Sequence, residues 1–352
     1  MDSQTFQTQI NTSIASQLSG QTARYRALGG TPEIITYLEH LQAVTSGGKR
    51  IRPYLTWSVL KHYSPDQHFE NHQLLLVSVE LFHVFCLIHD DVMDESDYRH
   101  GTQTMHAFAQ STLYKLAEKP NQKRTSGSQA ILAGDILFNT VFKLFYEYVS
   151  TVGQTTGKAL SETFHTLVDE VCLGQMIDID LTTKDKPDEK TITLKNILKT
   201  ARYSFVQPMA LGVIVANRND LLPFLSAFGE KIGLLYQIQD DMLDVIGDPQ
   251  KTKKPLFQDV TQKQPTILSH HILAQEGALK ERFGEYLGKP VSPEDQQDLL
   301  SIFEQSGALS YAQTTINRLE KELLELYAIH QLSDGDKAFF NKLVDLIRNR
   351  SN

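Results

Sequence analysis

Val77-Ser78-Val79-Glu80-Leu81-Phe82-His83-Val84-Phe85-Cys86-Leu87-Ile88-His89-Asp90-Asp91-Val92-Met93-Asp94 is the stretch whose reading decides the fold. Val77, Leu81, Val84, Phe85 and Ile88 recur at the three-to-four spacing of a helix with a buried face. The run ends in D-D-x-x-D, and at about 100° per residue its first and last Asp lie on one face, one turn apart. Gln237-Ile238-Gln239-Asp240-Asp241-Met242-Leu243-Asp244 repeats the pattern behind the apolar stretch Ile232–Ile238. Three carboxylates on one patch repel each other unless a cation sits between them. Magnesium is the expected cation, because it takes hard oxygen ligands and shares them with substrate phosphates. The bland reading of one such cluster is a solvated acidic helix end. Both clusters emerge from apolar helices, however, so the pair reads as two walls of one metal–diphosphate site.

Outward from these motifs, nearly every long segment has helical spacing, and strand alternation is scarce. Leu160, Phe164, Leu167 and Val171 form one stripe; Leu225, Phe228, Ile232 and Leu235 form another. Residues 5–18 and 32–44 read as two weaker helices. Polar breaks are expected at 45–48, 118–128, 182–189 and 247–265, and none has the character of a domain linker. The expected architecture is therefore all-α, a single large helical domain spanning 1–352 around a central cavity. Acidic residues outnumber basic ones, 42 to 34, for a net charge of −8, which argues against nucleic acid as a partner. Cys86 and Cys172 lie in apolar stretches and read as buried thiols in a reducing compartment. No signal peptide is expected from Met1–Phe6, no apolar run is long enough to span a membrane, and a cytoplasmic location is expected.

Further motifs place polar groups at the ends of apolar helices. Gly47-Gly48-Lys49-Arg50-Ile51-Arg52 offers glycines for close backbone approach and cations opening a helix, an anion-binding combination. Arg99 follows Asp94 closely enough to reach the same phosphate. Gly134-Asp135, Gly174-Gln175-Met176-Ile177-Asp178 and Lys199-Thr200 complete the set. Each alone also reads as an ordinary helix end.

With these motifs in this order, from about Gly47 to Thr266, the sequence resembles the trans-isoprenyl diphosphate synthases. The resemblance implies an all-helical bundle, a homodimer, and magnesium-dependent condensation of isopentenyl diphosphate with an allylic diphosphate. It implies three magnesium ions per active site, with Asp90, Asp94 and Asp240 as ligands. Asp91, Asp241 and Asp244 would be further ligands or hold ordered water. Arg99, Lys199 and Lys254 would contact the allylic diphosphate, with Thr200, Gln175 and Gln237 lining its pocket. Lys49, Arg52 and His83 would hold isopentenyl diphosphate. The catalytic set is then Asp90, Asp94, Asp240, Lys199 and Arg99.

Two departures from the family pattern stand out. A second Arg usually follows Arg99, and here the position is His100, whose charge depends on pH if it contacts isopentenyl diphosphate. In the loop after Asp244, Lys253 and Lys263 occupy glycine positions, and Gln264 stands where a Lys is usual. Phe85, five residues before Asp90, would sit about one turn below the cluster as the floor of the growing chain, beside the smaller Cys86. Resemblance to the family pattern then implies a C15 or C20 product, geranylgeranyl ahead of farnesyl diphosphate, over longer polyprenyl chains; ordinary core packing is the competing reading of Phe85.

Three other readings compete. A terpene cyclase would keep one D-D-x-x-D and replace the second. A di-iron carboxylate bundle would use Glu80/His83 and Glu162/His165, both E-x-x-H, and leaves the Asp clusters unexplained. A non-catalytic synthase subunit would have lost metal ligands, and none is lost here.

Overall fold

The computed structural model describes residues 2–115, 119–249 and 255–348. The chain divides into two compact units, Met1–Leu160 and Ser161–Asn352, with the boundary inside a helix. The described residues are overwhelmingly helical, as the apolar spacing requires; the strands among them are a single two-residue antiparallel pair.

The first unit begins with α1 (Ser3–Ala27), α2 (Pro32–Thr45), α3 (Ile51–Tyr63) and α4 (Phe69–Met93). Local chemistry sets the starts: Asp2 accepts from Thr5 N at 2.9 Å, and Thr31 caps α2 ahead of Pro32. After α4 comes a hairpin, β1 (Tyr98–Arg99) and β2 (Thr102–Gln103), then α5 (Met105–Phe108), a π-turn (Ala109–Leu113) and α6 (Lys119–Thr151). Val77, Leu81, Val84 and Ile88 are all buried, so α4 is the central helix of this unit, and it packs chiefly on α6. The expected break over 118–128 is mostly helix, because α6 starts at Lys119. Its polar first turns are held by tertiary contacts: Gln122 Nε2 donates to the Gln110 and Tyr114 carbonyls at 3.0 Å, and Ser126 is buried.

α7 (Gln154–Thr182) runs across the boundary. The second unit continues with α8 (Glu189–Asn196), a ten-residue π-helix (Ile197–Val206), α9 (Gln207–Val215), a 3-10 turn (Asn219–Leu221) and α10 (Leu222–Ile246). α11 (Gln258–Thr261), α12 (Ile267–Leu273), α13 (Ala278–Tyr286), α14 (Asp295–Gln305), α15 (Ala308–Ile329) and α16 (Asp334–Arg348) follow. α10 is the central helix here, its stripe Leu225, Phe228, Ile232 and Leu235 buried against the π-helix and α15. Close approach to the π-helix requires glycine: a Cβ at Gly233 would fall inside Ala201, and one at Gly229 within 2.9 Å of Val206 Cα. The buried-thiol expectation fails for Cys172, which is exposed; Val171 turns inward while Leu173 and Met176 share the outer face of α7. Cys86 is half-buried. Among the described residues no helix is long and apolar enough to cross a membrane.

Candidate active site

In the first unit α4 delivers the carboxylates at its C-terminal end. Asp91 is buried, while Asp90 and Asp94 are half-exposed, and Asp94 closes the helix through its N–H to the Asp90 carbonyl at 2.8 Å. The hairpin carries Arg99 back over this end, where its Nε donates to Asp91 Oδ1 at 2.7 Å and its Nη2 lies 3.4 Å from Asp90 Oδ2. Burial pushes the Asp91 carboxyl up to about 6, against the pull of Arg99. The second oxygen, Oδ2, is buried with no hydrogen-bond donor.

The expected anion site lies in the same unit. Gly48 takes φ 101°, the glycine freedom anticipated there, and Arg50 follows at φ 54° as the N-cap of α3. Arg50 is a structural residue: fully buried, it donates to Glu80 Oε1 and to Asn11 Oδ1, at 2.7 and 2.8 Å, and to the Thr45 carbonyl. That pairing consumes Glu80. Glu162 and His165 are exposed, so neither E-x-x-H pair has the makings of a di-iron site. Lys49 is exposed and Arg52 half-buried. Burial holds the His83 imidazole well below its usual range, and the charges of Arg52, Arg99, Arg50 and His100 push the same way. Both effects favour the uncharged imidazole. His100, in a left-handed conformation at φ 52°, lays its ring against Gly47, which joins the hairpin to the glycine motif.

Phe85 stacks on Phe138 of α6 at 4.8 Å between ring centroids and meets Phe82 and His89 at 5.7 and 4.6 Å. It belongs to an aromatic cluster below the carboxylates, with Cys86 next to it. The pocket for His89 is made by Gly134, where a Cβ would overlap the imidazole.

In the second unit the second D-D-x-x-D divides the same way. Asp241 is buried, and Asp240 and Asp244 are half-buried. Gln237 Nε2 donates to Asp241 Oδ1 at 2.8 Å, and its Oε1 accepts from Thr200 Oγ1 at 2.8 Å, so the π-helix is tied to the cluster through one amide. Burial raises the Asp241 carboxyl, with Asp240 and Asp244 adding to it and Lys195 opposing. Asp241 Oδ2, like its counterpart at Asp91, is buried without a donor. Asp244 accepts from the backbone N–H groups of Gln258 and Asp259 at 2.9 and 3.1 Å, which anchors the chain where α11 begins.

Lys199 Nζ donates to Asp178 Oδ2 at 2.6 Å, one turn along α7 from half-buried Gln175. Burial would raise the Asp178 carboxyl, but Lys195 and Lys199 hold it below the usual range. The backbone of Lys199 crosses α7 at Gly174, where a Cβ would stand 2.5 Å from Lys199 N. Lys253 and Lys254 lie outside the described residues. Lys263, in a glycine position of the loop pattern, keeps the left-handed backbone at φ 55°.

Sequence reasoning did not single out Arg50, Lys195 or Asp259. Asp178 was quoted in its motif without a role. Asp259 is raised well above the carboxylate range by burial and by Asp244 and Asp241. Lys195 stands four residues before Lys199, a spacing that puts the two on one helical face without pointing to Asp178.

Among the described residues no three His, Cys, Asp or Glu side chains form a ready-made metal cage. The donors nevertheless fit magnesium, which usually keeps waters and takes few protein carboxylates beside substrate phosphates. Hard oxygens are present at both clusters, and a buried carboxylate oxygen in each lacks a donor.

Residues 35–305 match the family model described as polyprenyl synthetase. The chain is 32% identical over 267 residues to the short chain isoprenyl diphosphate synthase of Methanocaldococcus jannaschii, covering 74% of each. It is 26% identical over 316 residues to the geranylfarnesyl diphosphate synthase of Aeropyrum pernix, covering 88% of this chain and 92% of that one. In structure it is similar to the Corynebacterium glutamicum geranylgeranyl pyrophosphate synthase complexed with isoprenyl diphosphate and magnesium. The TM-score is 0.89 at 25% identity, over 99% of this chain and all of that one. The chain belongs to the polyprenyl synthetase family. It is a trans-prenyltransferase of the isoprenyl diphosphate synthase kind, with the all-α fold of that group.

Proposed function

We propose that this enzyme condenses isopentenyl diphosphate with an allylic diphosphate and releases a C15–C20 product, geranylgeranyl diphosphate ahead of farnesyl diphosphate. The observation that carries the reading is the matched division of the two D-D-x-x-D motifs. Each buries its middle Asp with one oxygen lacking a donor and leaves the outer two at least partly exposed.

In this reading Asp90, Asp94 and Asp240 ligate magnesium, with Asp91, Asp241 and Asp244 as further ligands or holders of ordered water. The bound ions, three in number, would neutralise charge developing on the leaving diphosphate. Arg99 and Lys199 bind the allylic diphosphate from the protein side, each leaving the carboxylate on which it now rests, and Lys254 is a third contact. Thr200, Gln237 and Gln175 orient it. Preorganised cations of this kind stabilise the pyrophosphate as the allylic C–O bond breaks. Lys49, Arg52, His83 and His100 hold isopentenyl diphosphate, whose double bond attacks the allylic cation; the C2 proton then leaves, accepted by the departing pyrophosphate. Apolar side chains exclude the water that would trap the cation. Phe85, backed by Phe138, limits the chain, with Cys86 beside it.

The same reading includes one catalytic domain over 1–352, supported by a family match that runs continuously from 35 to 305, and a cytoplasmic location. It also includes a homodimer, supported by apolar side chains left exposed on α6 (Leu132, Phe142, Tyr146) and on α7 (Leu173, Met176).

The test is a product assay with magnesium, isopentenyl diphosphate and five-, ten- or fifteen-carbon allylic starters, sized by mass spectrometry. Discrete C15 or C20 diphosphates are expected. Products of C30 or more would remove the Phe85 floor, cyclic hydrocarbons would indicate a cyclase, and absence of turnover a non-catalytic subunit.

A further inference from the structure

We propose that Lys195 is a positioning residue: it keeps Asp178 charge-paired when Lys199 leaves Asp178 for the diphosphate. The proposal rests on the reading of Lys199 as a diphosphate ligand.

Two lysines converge on one carboxylate. Lys199 Nζ lies 2.6 Å from Asp178 Oδ2, and Lys195 Nζ lies 3.4 Å from Asp178 Oδ1. Their surroundings differ. The Lys195 side chain is 10% exposed and donates to the Pro265 carbonyl at 3.3 Å, so it is fixed between α8 and the segment entering α12. The Lys199 side chain is 26% exposed and springs from a π-helix, a geometry that recurs at functional sites. Of the two cations Lys199 is the more exposed, and Lys195 is tied to a second acceptor. Asp178 itself is only 5% exposed, and its Oδ1 accepts no aligned hydrogen bond.

A buried carboxylate stripped of its partner is strongly disfavoured. Were Lys199 the sole partner of Asp178, its departure would leave such a charge, and the diphosphate would have to overcome that penalty. With Lys195 in place, the three groups carry one net positive charge while Lys199 is at rest. Once Lys199 has moved, Asp178 and Lys195 remain as a neutral pair. The Lys195 charge also acts on buried Asp241 and half-buried Asp259 of this unit. Lys195 need not touch substrate to do any of this.

The experiment measures binding of inorganic pyrophosphate with saturating magnesium by calorimetry, on the full chain and on K195M, K199M, D178N and K195M/D178N. K195M is expected to bind about tenfold more weakly than wild type, and K195M/D178N to recover most of that loss, because no carboxylate is then left unpaired. A loss of less than about threefold in K195M, or a double variant as weak as K195M, would overturn the proposal. The second outcome would mean that Lys195 acts through packing or direct contact, since a purely structural loss is not rescued by removing Asp178. If K195M does not fold by circular dichroism, D178N decides alone: binding at least as tight as wild type supports the proposal, and weaker binding overturns it. K199M binding as tightly as wild type would defeat the parent reading of Lys199 instead.

Discussion

Gly174→Ala is a one-carbon change aimed at the backbone that carries Lys199. The new Cβ would stand 2.5 Å from Lys199 N, 2.9 Å from Lys199 Cα and 3.0 Å from Leu198 C, whereas ordinary contact begins near 3.4 Å. These are main-chain atoms, so no side chain can swing aside. α7 and the π-helix must separate by roughly 1 Å, a displacement that costs about 100-fold in rate when it reaches a substrate-positioning group. Overpacking of this kind costs about 1–3 kcal/mol. At about 2–4 °C per kcal/mol for a unit of this size, the melting temperature should fall by roughly 2–12 °C. Gly284→Ala is the control: it lies in α13 with nothing within 4 Å of the added carbon. It should stabilise by about 0.4–1 kcal/mol. Thermal denaturation and steady-state kinetics with an allylic starter read both effects. A Gly174→Ala enzyme that melts with wild type and keeps its kcat/KM would show that α7 does not position Lys199.

Other perturbations reach the remaining parts of the chain. Arg50→Met leaves Glu80 buried without its partner and should cost about 3–5 kcal/mol in urea denaturation; R50M/E80Q should recover part of that, and no recovery would mean the pair is not what matters. His72, buried between Tyr148 Oη and Gln67 Oε1 at 2.8 Å each, has its imidazole lowered by burial. Its stabilising contribution is therefore present above the unfolded value near 6.5 and lost as pH falls, at up to about 1.4 kcal/mol per pH unit. The stability difference between wild type and His72→Gln should shrink between pH 7 and 5, and a flat difference would contradict the assignment. Phe85→Ala opens the stack on Phe138 and should lengthen the products seen by mass spectrometry, at a stability cost below the roughly 3–5 kcal/mol of a fully buried Phe; an unchanged product would make Phe85 simple packing.

Much of the fold was legible because a buried helix leaves a periodic trace. The α10 stripe is buried as its spacing requires, the α4 stripe is buried except at half-buried Phe85, and each D-D-x-x-D sits at the end of its helix. The trace fails where polar residues are held by tertiary contacts, as in the first turns of α6, or where an apolar run such as Val171-Cys172-Leu173 covers both faces of a helix. The residues expected in the site were named from type and order. The supporting groups were not, because their signal is a three-dimensional pairing. Arg50 looks like one more cation of a basic motif, yet it is spent on Glu80. Lys195 looks like a surface lysine, yet it lies beside Asp178. Nothing in residue order announces the π-helix either, since a wider turn uses the same apolar residues as an ordinary one.

That π-helix has a consequence for insertions and deletions. From Ile197 to Val206 the backbone bonds skip one residue further than in α8 before it or α9 after it. In an ordinary buried helix, removing one residue turns everything beyond it by about 100° and breaks the core. Here a deletion can be absorbed by tightening the wide turns into α-helix, so the chain has a route to stay folded. The residue lost need not be a polar one for Lys199 and Thr200 to suffer, because their angle to Gly174 and Gln237 changes with the pitch. Among single-residue deletions in the second unit, those within this segment should therefore separate survival of the fold from survival of the activity.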